Sequence, residues 1–437
     1  MSGGRDDEPL GAQPADAEDP GLLAGFCGAP DVEKPPAASP PPPPVVDAGD
    51  LDWEAIRRAA ADVAAIRARA PETVRRLEEL LDSADGTRLL FDADRASPDD
   101  RAIVVRSLDQ EAPLWFLGDI HGDLLGLEAA LARVRAPDAG ATPERRPRLV
   151  FLGDLFDDGG CAVEVLLRIY ELVLESPGTV CVISGNHDES LGWDGERFTA
   201  TVSPSDFSEW LNAQLDDEWA VRAGRLAVRL FASAPRALFF PDGLLVAHGG
   251  FPHTDLHAEL AERKDWNDPR CLEDFVWLRA HPRARKKIPN RTTRGGQFGR
   301  EDFAAFCALS AELGRPVARM VRGHDHIEER YALYPAYEPH PLVTINLMSR
   351  RLPREAFGPY ERVPVVARWV PGALPQVHRL MVPPELVREI FPPESGPPQA
   401  EAEQPDAADA PADADPAAPP GEPAPEVAGD GAQQGGG

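Results

Sequence analysis

Leu114-Trp115-Phe116-Leu117-Gly118-Asp119-Ile120-His121-Gly122 is the stretch on which the fold turns. Four apolar residues in a row, bounded by a glycine-rich loop, read as a short strand buried on both faces. The loop that ends it carries a carboxylate and an imidazole two positions apart. In extended backbone such residues project to the same side, so Asp119 and His121 are placed to grip one cation. Residues 124–134 then recur at helical spacing. The unit repeats downstream. Residues 149–152 read as strand, Gly153-Asp154-Leu155-Phe156-Asp157-Asp158-Gly159 as loop and 162–174 as helix. Residues 180–183 read as the next strand and lead into Gly185-Asn186-His187-Asp188-Glu189. Alternating strands and helices predict a layered α/β fold, in which ligands collect outside the carboxyl ends of the strands.

Further along, residues 238–240 and 244–247 form a predicted hairpin around Pro241-Asp242-Gly243 that delivers His248-Gly249-Gly250. Residues 303–313 read as helix, and 317–321 as a strand leading into Gly323-His324-Asp325-His326. Later strands are expected at 342–347, 363–369 and 377–381. Upstream, residues 51–87 form a helical segment expected to pack on the core, with Pro71 breaking the run in two. Residues 190–235, with Trp193, Phe198, Phe207, Trp210 and Trp219 among many acids, read as a helical insertion into a catalytic domain spanning 88–392.

The two ends are compositionally different. Residues 1–50 are rich in Pro, Ala, Gly and Asp and contain Pro40-Pro41-Pro42-Pro43-Pro44, and residues 393–437 carry ten acids and no base. Neither buries enough apolar surface to offset its ordering entropy, so both read as disordered acidic tails, with unknown protein partners as candidates for them. The net charge of −28 lies mainly in these tails and argues against nucleic acid or an anionic membrane as partner. No signal peptide and no membrane-spanning apolar run are read. The five cysteines are scattered, as in a reducing cytoplasm. Arginine in place of lysine, with abundant Ala and Pro, suggests a bacterial source.

The loop residues define the chemistry. Asp119, His121, Asp154, Asn186, His248 and His324 together offer oxygen and nitrogen ligands for two divalent cations, the requirement of a two-metal hydrolase. Asp154 is suited to bridge the ions, Asn186 offers a neutral amide oxygen, and His248 and His324 complete the second ion. His187, beside Asn186, is left as a general acid, with Asp157 to hold its imidazole and raise its pKa. This mixture of carboxylate and imidazole suits Mn²⁺ first, then Fe or Zn²⁺. His253, His257 and His281 read as solvated surface; the basic run Arg283, Arg285, Lys286, Lys287, which precedes Arg291 and Arg294, reads either as a solvated face or as a patch that helps to attract a phosphate.

These motifs resemble the calcineurin-like metallophosphoesterases and, within them, the phosphoprotein phosphatase (Ser/Thr phosphatase) superfamily, known by Gly-Asp-x-His-Gly, Gly-Asp-x-x-Asp-Arg-Gly, Gly-Asn-His-Glu and two separated histidines. The resemblance runs from about residue 88 to about 382. It implies a central β-sandwich of two mixed sheets flanked by helices, with a dinuclear metal site at the sandwich edge. One ion would take Asp119, His121 and Asp154, and the other Asp154, Asn186, His248 and His324. His187 with Asp157 would be the acid pair, and Arg294, in Arg294-Gly295-Gly296, a phosphate clamp. The implied activity is in-line attack on phosphomonoesters by a metal-activated hydroxide, foremost on phosphoserine or phosphothreonine in proteins, with small phosphoesters as further substrates.

The chain departs from that pattern at four places. Asp158 stands where the family has a phosphate-binding arginine, and Asp188 where it has glutamate. The ending at His326 matches broader metallophosphoesterases, in which this histidine joins the first metal. Leu347-Met348-Ser349-Arg350-Arg351 replaces the family's Ser-Ala-Pro-Asn-Tyr loop. Asp158 is expected either to line the pocket or to turn to solvent and cap the helix near Cys161. With the arginine missing, either Arg294 with Arg350 or Arg351 nearby holds the phosphate, or the natural substrate brings its own positive charge beside it. Two rival readings remain: a diadenosine-tetraphosphate hydrolase using Trp193 or Phe251 to stack a base, and a pseudophosphatase serving as a protein-binding module.

Overall fold

The computed structural model describes residues 45–83, 89–106, 113–140, 146–282 and 295–393. The polyproline run, the C-terminal tail from residue 394 and the basic segment through Arg294 lie outside the described residues.

Two six-stranded sheets form the centre. The first has the spatial order Val45–Asp47, Gln376–Arg379, Val365–Trp369, Leu114–Leu117, Arg148–Phe151, Val180–Val182. The second runs Tyr331–Leu333, Leu342–Ile345, Arg319–Arg322, Leu244–Ala247, Ala237–Phe239, Ala102–Val104. Both sheets are mixed. Leu114–Leu117 is parallel to Arg148–Phe151 and antiparallel to Val365–Trp369; Arg319–Arg322 is parallel to both of its neighbours, while the 237–247 hairpin is antiparallel.

Strand alternation sorts the apolar residues into layers. Leu114 and Phe116 join Val150, Cys181, Val246, Val321 and Val343 in the core between the sheets. Trp115, Leu117, Leu149 and Phe151 point the other way, under the helices Trp53–Ala61, Val63–Asp82, Leu124–Arg135, Ala162–Glu175 and Glu218–Ser233. Ala237, Phe239, Leu245 and Met320 face Pro269–Trp277 and Arg300–Glu312 on the far side. The result is four layers, helix–sheet–sheet–helix. Because both faces are covered, the strands are continuous apolar runs, and each fully buried Phe or Leu contributes about 1.5–3 kcal/mol.

The expected strands and helices of the metal-bearing units appear within one to three residues of their sequence bounds, but four expectations need correction. Val45–Asp47, assigned to the tail, is an edge strand parallel to Gln376–Arg379. Only Val45 and Val46 are apolar there, too short a run to show periodicity. Pro71 does not break its helix. The break falls at Asp62, whose carboxylate accepts from Ala65 N at 3.2 Å and caps Val63–Asp82. Pro71 and Arg67, the residue whose carbonyl would otherwise pair with an N–H at position 71, are both exposed. The insertion is helical only from Asp206–Ala213 onward; it opens with the small hairpin Gly192–Trp193 with Phe198–Thr199. His253, His257 and His281 are buried or half-buried rather than solvated.

Candidate dinuclear metal centre

The five loops meet at one edge of the sandwich, and backbone bonds fix them in pairs. Ile120 N and His121 N both donate to Asp154 O, at 2.9 and 3.0 Å. On the other sheet Gly323 N donates to His248 O at 3.0 Å. The sheets join where Asp119 bridges to Asn346 and Leu347 N donates to Asp119 O. The approach is close: a Cβ on Gly323 would lie 2.0 Å from Asp119 Oδ1, and one on Gly185 2.2 Å from Asp154 Oδ1. Glycine is the residue both places admit.

The loop after Arg148–Phe151 is wound left-handed. Gly153, Asp154, Asp157, Asp158, Gly159 and Gly160 all have φ between 52° and 101°. His121 and His324 do the same at 45° and 69°. Such conformations cost energy in non-glycine residues and persist only where the surroundings impose them. Two carboxylates do so here. Asp188 accepts from Asp154 N (2.7 Å) and Leu155 N (3.0 Å), and Asp206 accepts from Asp158 N (2.9 Å) and Gly159 N (2.8 Å).

Two groups of ligand atoms converge, each within 4.8 Å: Asp119, His121 and His326, and Asp154, His248 and His324. Asn186 Oδ1 adjoins the second, 3.1 Å from His248 Nε2. Asp154 Oδ2 lies between the groups, 3.7 Å from His121 Nε2 and 3.3 Å from His248 Nε2.

The hydrogen bonds test whether cations fit. His121 Nδ1 faces Phe156 O at 3.1 Å, His248 Nδ1 faces Leu152 O at 2.8 Å, and His324 Nε2 faces Trp277 O at 3.2 Å. A carbonyl only accepts, so each of these nitrogens carries the proton and the other presents a lone pair. In that tautomer His248 Nε2 meets two acceptors, His324 Nδ1 and Asn186 Oδ1, each at 3.1 Å, while His121 Nε2 lies 3.1 Å from His326 Nε2. Lone pairs aimed at lone pairs are repulsive unless a positive charge lies among them, so the residues fit a pair of cations. Burial holds His121 down at about 3 and keeps His324 and His326 well below the usual range, in the neutral form that ligates. For His248 burial is outweighed by Asp154 and Asp119, which raise it to about 9. The carboxylates that favour positive charge on His248 would equally favour a cation among these ligands.

His187 stands apart from these groups. Its Nδ1 is 2.8 Å from Asp157 Oδ2, and its backbone N donates to Asp154 Oδ1 at 2.9 Å. Asp157 Oδ1 also accepts from Phe207 N at 3.0 Å, so the insertion holds the pair upright. Burial works against the imidazolium, but Asp154, Asp157 and Asp158 prevail and raise His187 to about 9.

Asp158 neither turns to solvent nor caps the helix. It is 5% exposed, its Oδ2 lies 3.6 Å from His121 Nδ1, and Ala162–Glu175 begins at Cys161 without a side-chain cap. Burial raises its pKa to about 6. Arg350, half of the proposed substitute clamp, is itself buried; it donates to Asp158 O at 3.1 Å and lies over the Phe391 ring. Arg351 donates to Gly358 O at 3.2 Å. Arg294 lies outside the described residues.

Asp206, Arg322 and Asp123 were not read from the sequence as part of the site. Arg322 is fully buried, donating to Leu278 O at 3.1 Å and to Gly249 O and Asp325, which sets the loops of His248 and His324. Its signal was an arginine at the end of an apolar strand. Asp123 caps Leu124–Arg135 through Gly126 N and takes Ser349 N and Oγ, both at 2.6 Å. Asp206 carried no signal, since its partners are 47 and 48 positions away.

A four-layer sandwich carries two candidate cation-binding clusters on one edge, an arrangement that suits a dinuclear metallohydrolase. Residues 112–328 match the calcineurin-like phosphoesterases, and this domain of the chain belongs to that family. Similar solved structures include a protein serine/threonine phosphatase from Saccharomyces cerevisiae, at 18% identity and TM-score 0.44, covering 72% of this chain and 83% of that one. A metallophosphoesterase from Sphaerobacter thermophilus is 18% identical at TM-score 0.34, covering 65% and 96%. A cold-active protein-tyrosine phosphatase of a Shewanella species is 16% identical at TM-score 0.38, covering 64% and 82%. At these identities the likeness does not reach to substrate.

Proposed function

We propose that the chain is a metal-dependent phosphomonoesterase acting on phosphoserine or phosphothreonine in proteins. The observation that carries this reading is the meeting of bare imidazole nitrogens and carboxylate oxygens beside a carboxylate-held His187. Asp119, His121, His326 and Asp154 would hold one ion and Asp154, Asn186, His248 and His324 the other, with Mn²⁺ first and Fe or Zn²⁺ next. When bound, two divalent cations neutralise charge on the phosphate and activate water for in-line attack. Asp154, set between the groups, would be shared by both ions. His187, its Nδ1 held by Asp157, would give the proton on its other nitrogen to the leaving oxygen, and Asp157 fixes the ring for that transfer. Arg294 is assigned the phosphate contact on its sequence motif alone.

The nucleotide reading loses support at its aromatic residues. Phe251 is fully buried against Phe298, Phe303 and Phe306, and Trp193 is packed on Phe198 beneath Arg225. Phe251 presents no face to a base, and Trp193 already has Phe198 and Arg225 against its ring. Four free cysteines among the described residues support the cytoplasm as the working compartment. The test is hydrolysis of an aryl phosphate with and without Mn²⁺, followed by a panel of phosphopeptides and diadenosine tetraphosphate. We expect Mn²⁺-dependent turnover with phosphopeptides preferred. Preference for the dinucleotide would overturn the substrate, and an inert protein holding its metals would point to a binding module.

A further inference from the structure

Among the four histidines of the two groups, His326 is supported differently. His121, His248 and His324 each direct the nitrogen away from the cluster to a backbone carbonyl, in the core of the sandwich edge. His326 comes from the loop after Arg319–Arg322, and its side chain is 27% exposed. Its Nε2 faces His121 Nε2 at 3.1 Å and Asp119 Oδ2 at 3.8 Å, so Nδ1 is the outer nitrogen. Facing that nitrogen, at 3.9 Å, is Glu355 Oε1.

Glu355 is not a loose surface carboxylate. Its side chain is 12% exposed; Oε2 accepts from Leu352 N at 3.1 Å and from Arg330 Nη2 at 2.9 Å, and Oε1 is paired with Arg330 Nη1. Arg330 is wholly buried and spends its remaining donors on main-chain oxygens of Ile327, Met348 and Arg350. Arg362 adds a second positive charge 3.8 Å from Glu355 Oε2. A buried guanidinium thus fixes an ionised carboxylate, which confronts the outer face of the one histidine of the two groups that, among the described residues, no main-chain oxygen holds. Pairing Arg330 alone would explain the carboxylate but not its placement on the Nδ1 side of His326.

We propose that Glu355 is a positioning residue for the first metal: its carboxylate, 3.9 Å from His326 Nδ1 and so acting by charge rather than by a direct hydrogen bond, favours the proton on Nδ1 and leaves Nε2 to face the ion. A carboxylate partner fixes tautomer and ring orientation and makes the ligating nitrogen more basic. The inference rests on the two-ion reading above. It makes the first ion's affinity depend on the segment 350–362, while the second ion's does not.

The test is metal binding, measured by titrating metal-stripped protein with Mn²⁺ and by metal content after dialysis at fixed free Mn²⁺. Wild type should hold two ions. Glu355→Ala should weaken one site by about 10–100-fold and leave the other unchanged. His326→Ala should weaken the same site, and the double variant should be no worse than His326→Ala alone, because the carboxylate acts through the ring. Glu355→Asp should recover part of the loss. If Arg330 without its partner prevents folding of Glu355→Ala, Glu355→Gln keeps a hydrogen-bonding partner for Arg330 and should still show a several-fold loss at one site. Loss of the Arg330 pairing should lower the unfolding midpoint of metal-free Glu355→Gln, so the reading that separates positioning from a general structural role is a loss at one metal site with the other at wild-type affinity. Two ions bound by the glutamate variants with wild-type affinity would overturn the proposal, as would additive losses in the double variant. A wild type that holds fewer than two ions would overturn the underlying reading instead.

Discussion

The two ligand groups are chemically alike but mechanically unlike. The group of Asp154, His248 and His324, joined by Asn186, is buried, and its imidazoles are pinned to carbonyls of residues at or beside strand ends and of Trp277. The group of Asp119, His121 and His326 is half of that kind and half a loop assembly, with one solvent-facing ring and a carboxylate 29 residues further along behind it. Regular structure therefore fixes one ion's surroundings, and loop packing decides the other's. Substitutions at the first should be severe and uniform, and at the second graded.

The largest effect is expected where the two groups share a residue. Asp154→Asn removes the one carboxylate between them and should lower turnover by about 10³-fold or more, with metal content falling for both ions. Retention of near-normal activity would mean that the groups work independently. Next comes the pair outside both groups. His187→Asn should cut turnover on alkyl phosphates by about 10²-fold, less on aryl phosphates with a good leaving group, and leave two ions in place. Equal losses on both substrate types would remove the proton-donor role.

A smaller loss should follow from the support rather than the ligands. Asp206→Ala frees two backbone N–H groups of the left-handed loop and should cost about 1–3 kcal/mol of stability in urea unfolding. It should also lower turnover by about tenfold through a misplaced Asp157. An unaltered enzyme would show that Asp188 alone holds the loop. The smallest effect concerns Asp158. Burial raises its pKa to about 6, so it is neutral below that pH and anionic above it. Its charge repels a phosphate only in the anionic form, so KM for an aryl phosphate should rise as pH passes upward through about 6. Asp158→Asn should remove that rise and lower KM at pH 8 about fivefold, the effect of ~1 kcal/mol of screened repulsion. A KM unchanged at pH 8 would place the bound phosphate away from this side chain.

The sequence by itself determined the strand–loop–helix units and the loops that would meet. Unbroken apolar runs such as 114–117 and 149–152 have one stable setting, a strand covered on both faces, and the glycine-flanked Asp and His residues that follow must then emerge at strand ends. It could not determine which imidazole nitrogen faces inward, since that depends on carbonyls such as Trp277 O, 47 residues from its histidine. Nor could it find Asp206 or Glu355, whose partners come from loops with no shared periodicity. The edge strand Val45–Asp47, the burial of Phe251 and the inward turn of Asp158 were likewise settled only in three dimensions. Each is a contact between segments remote in the chain, and its free energy depends on packing that local hydrophobic pattern does not record.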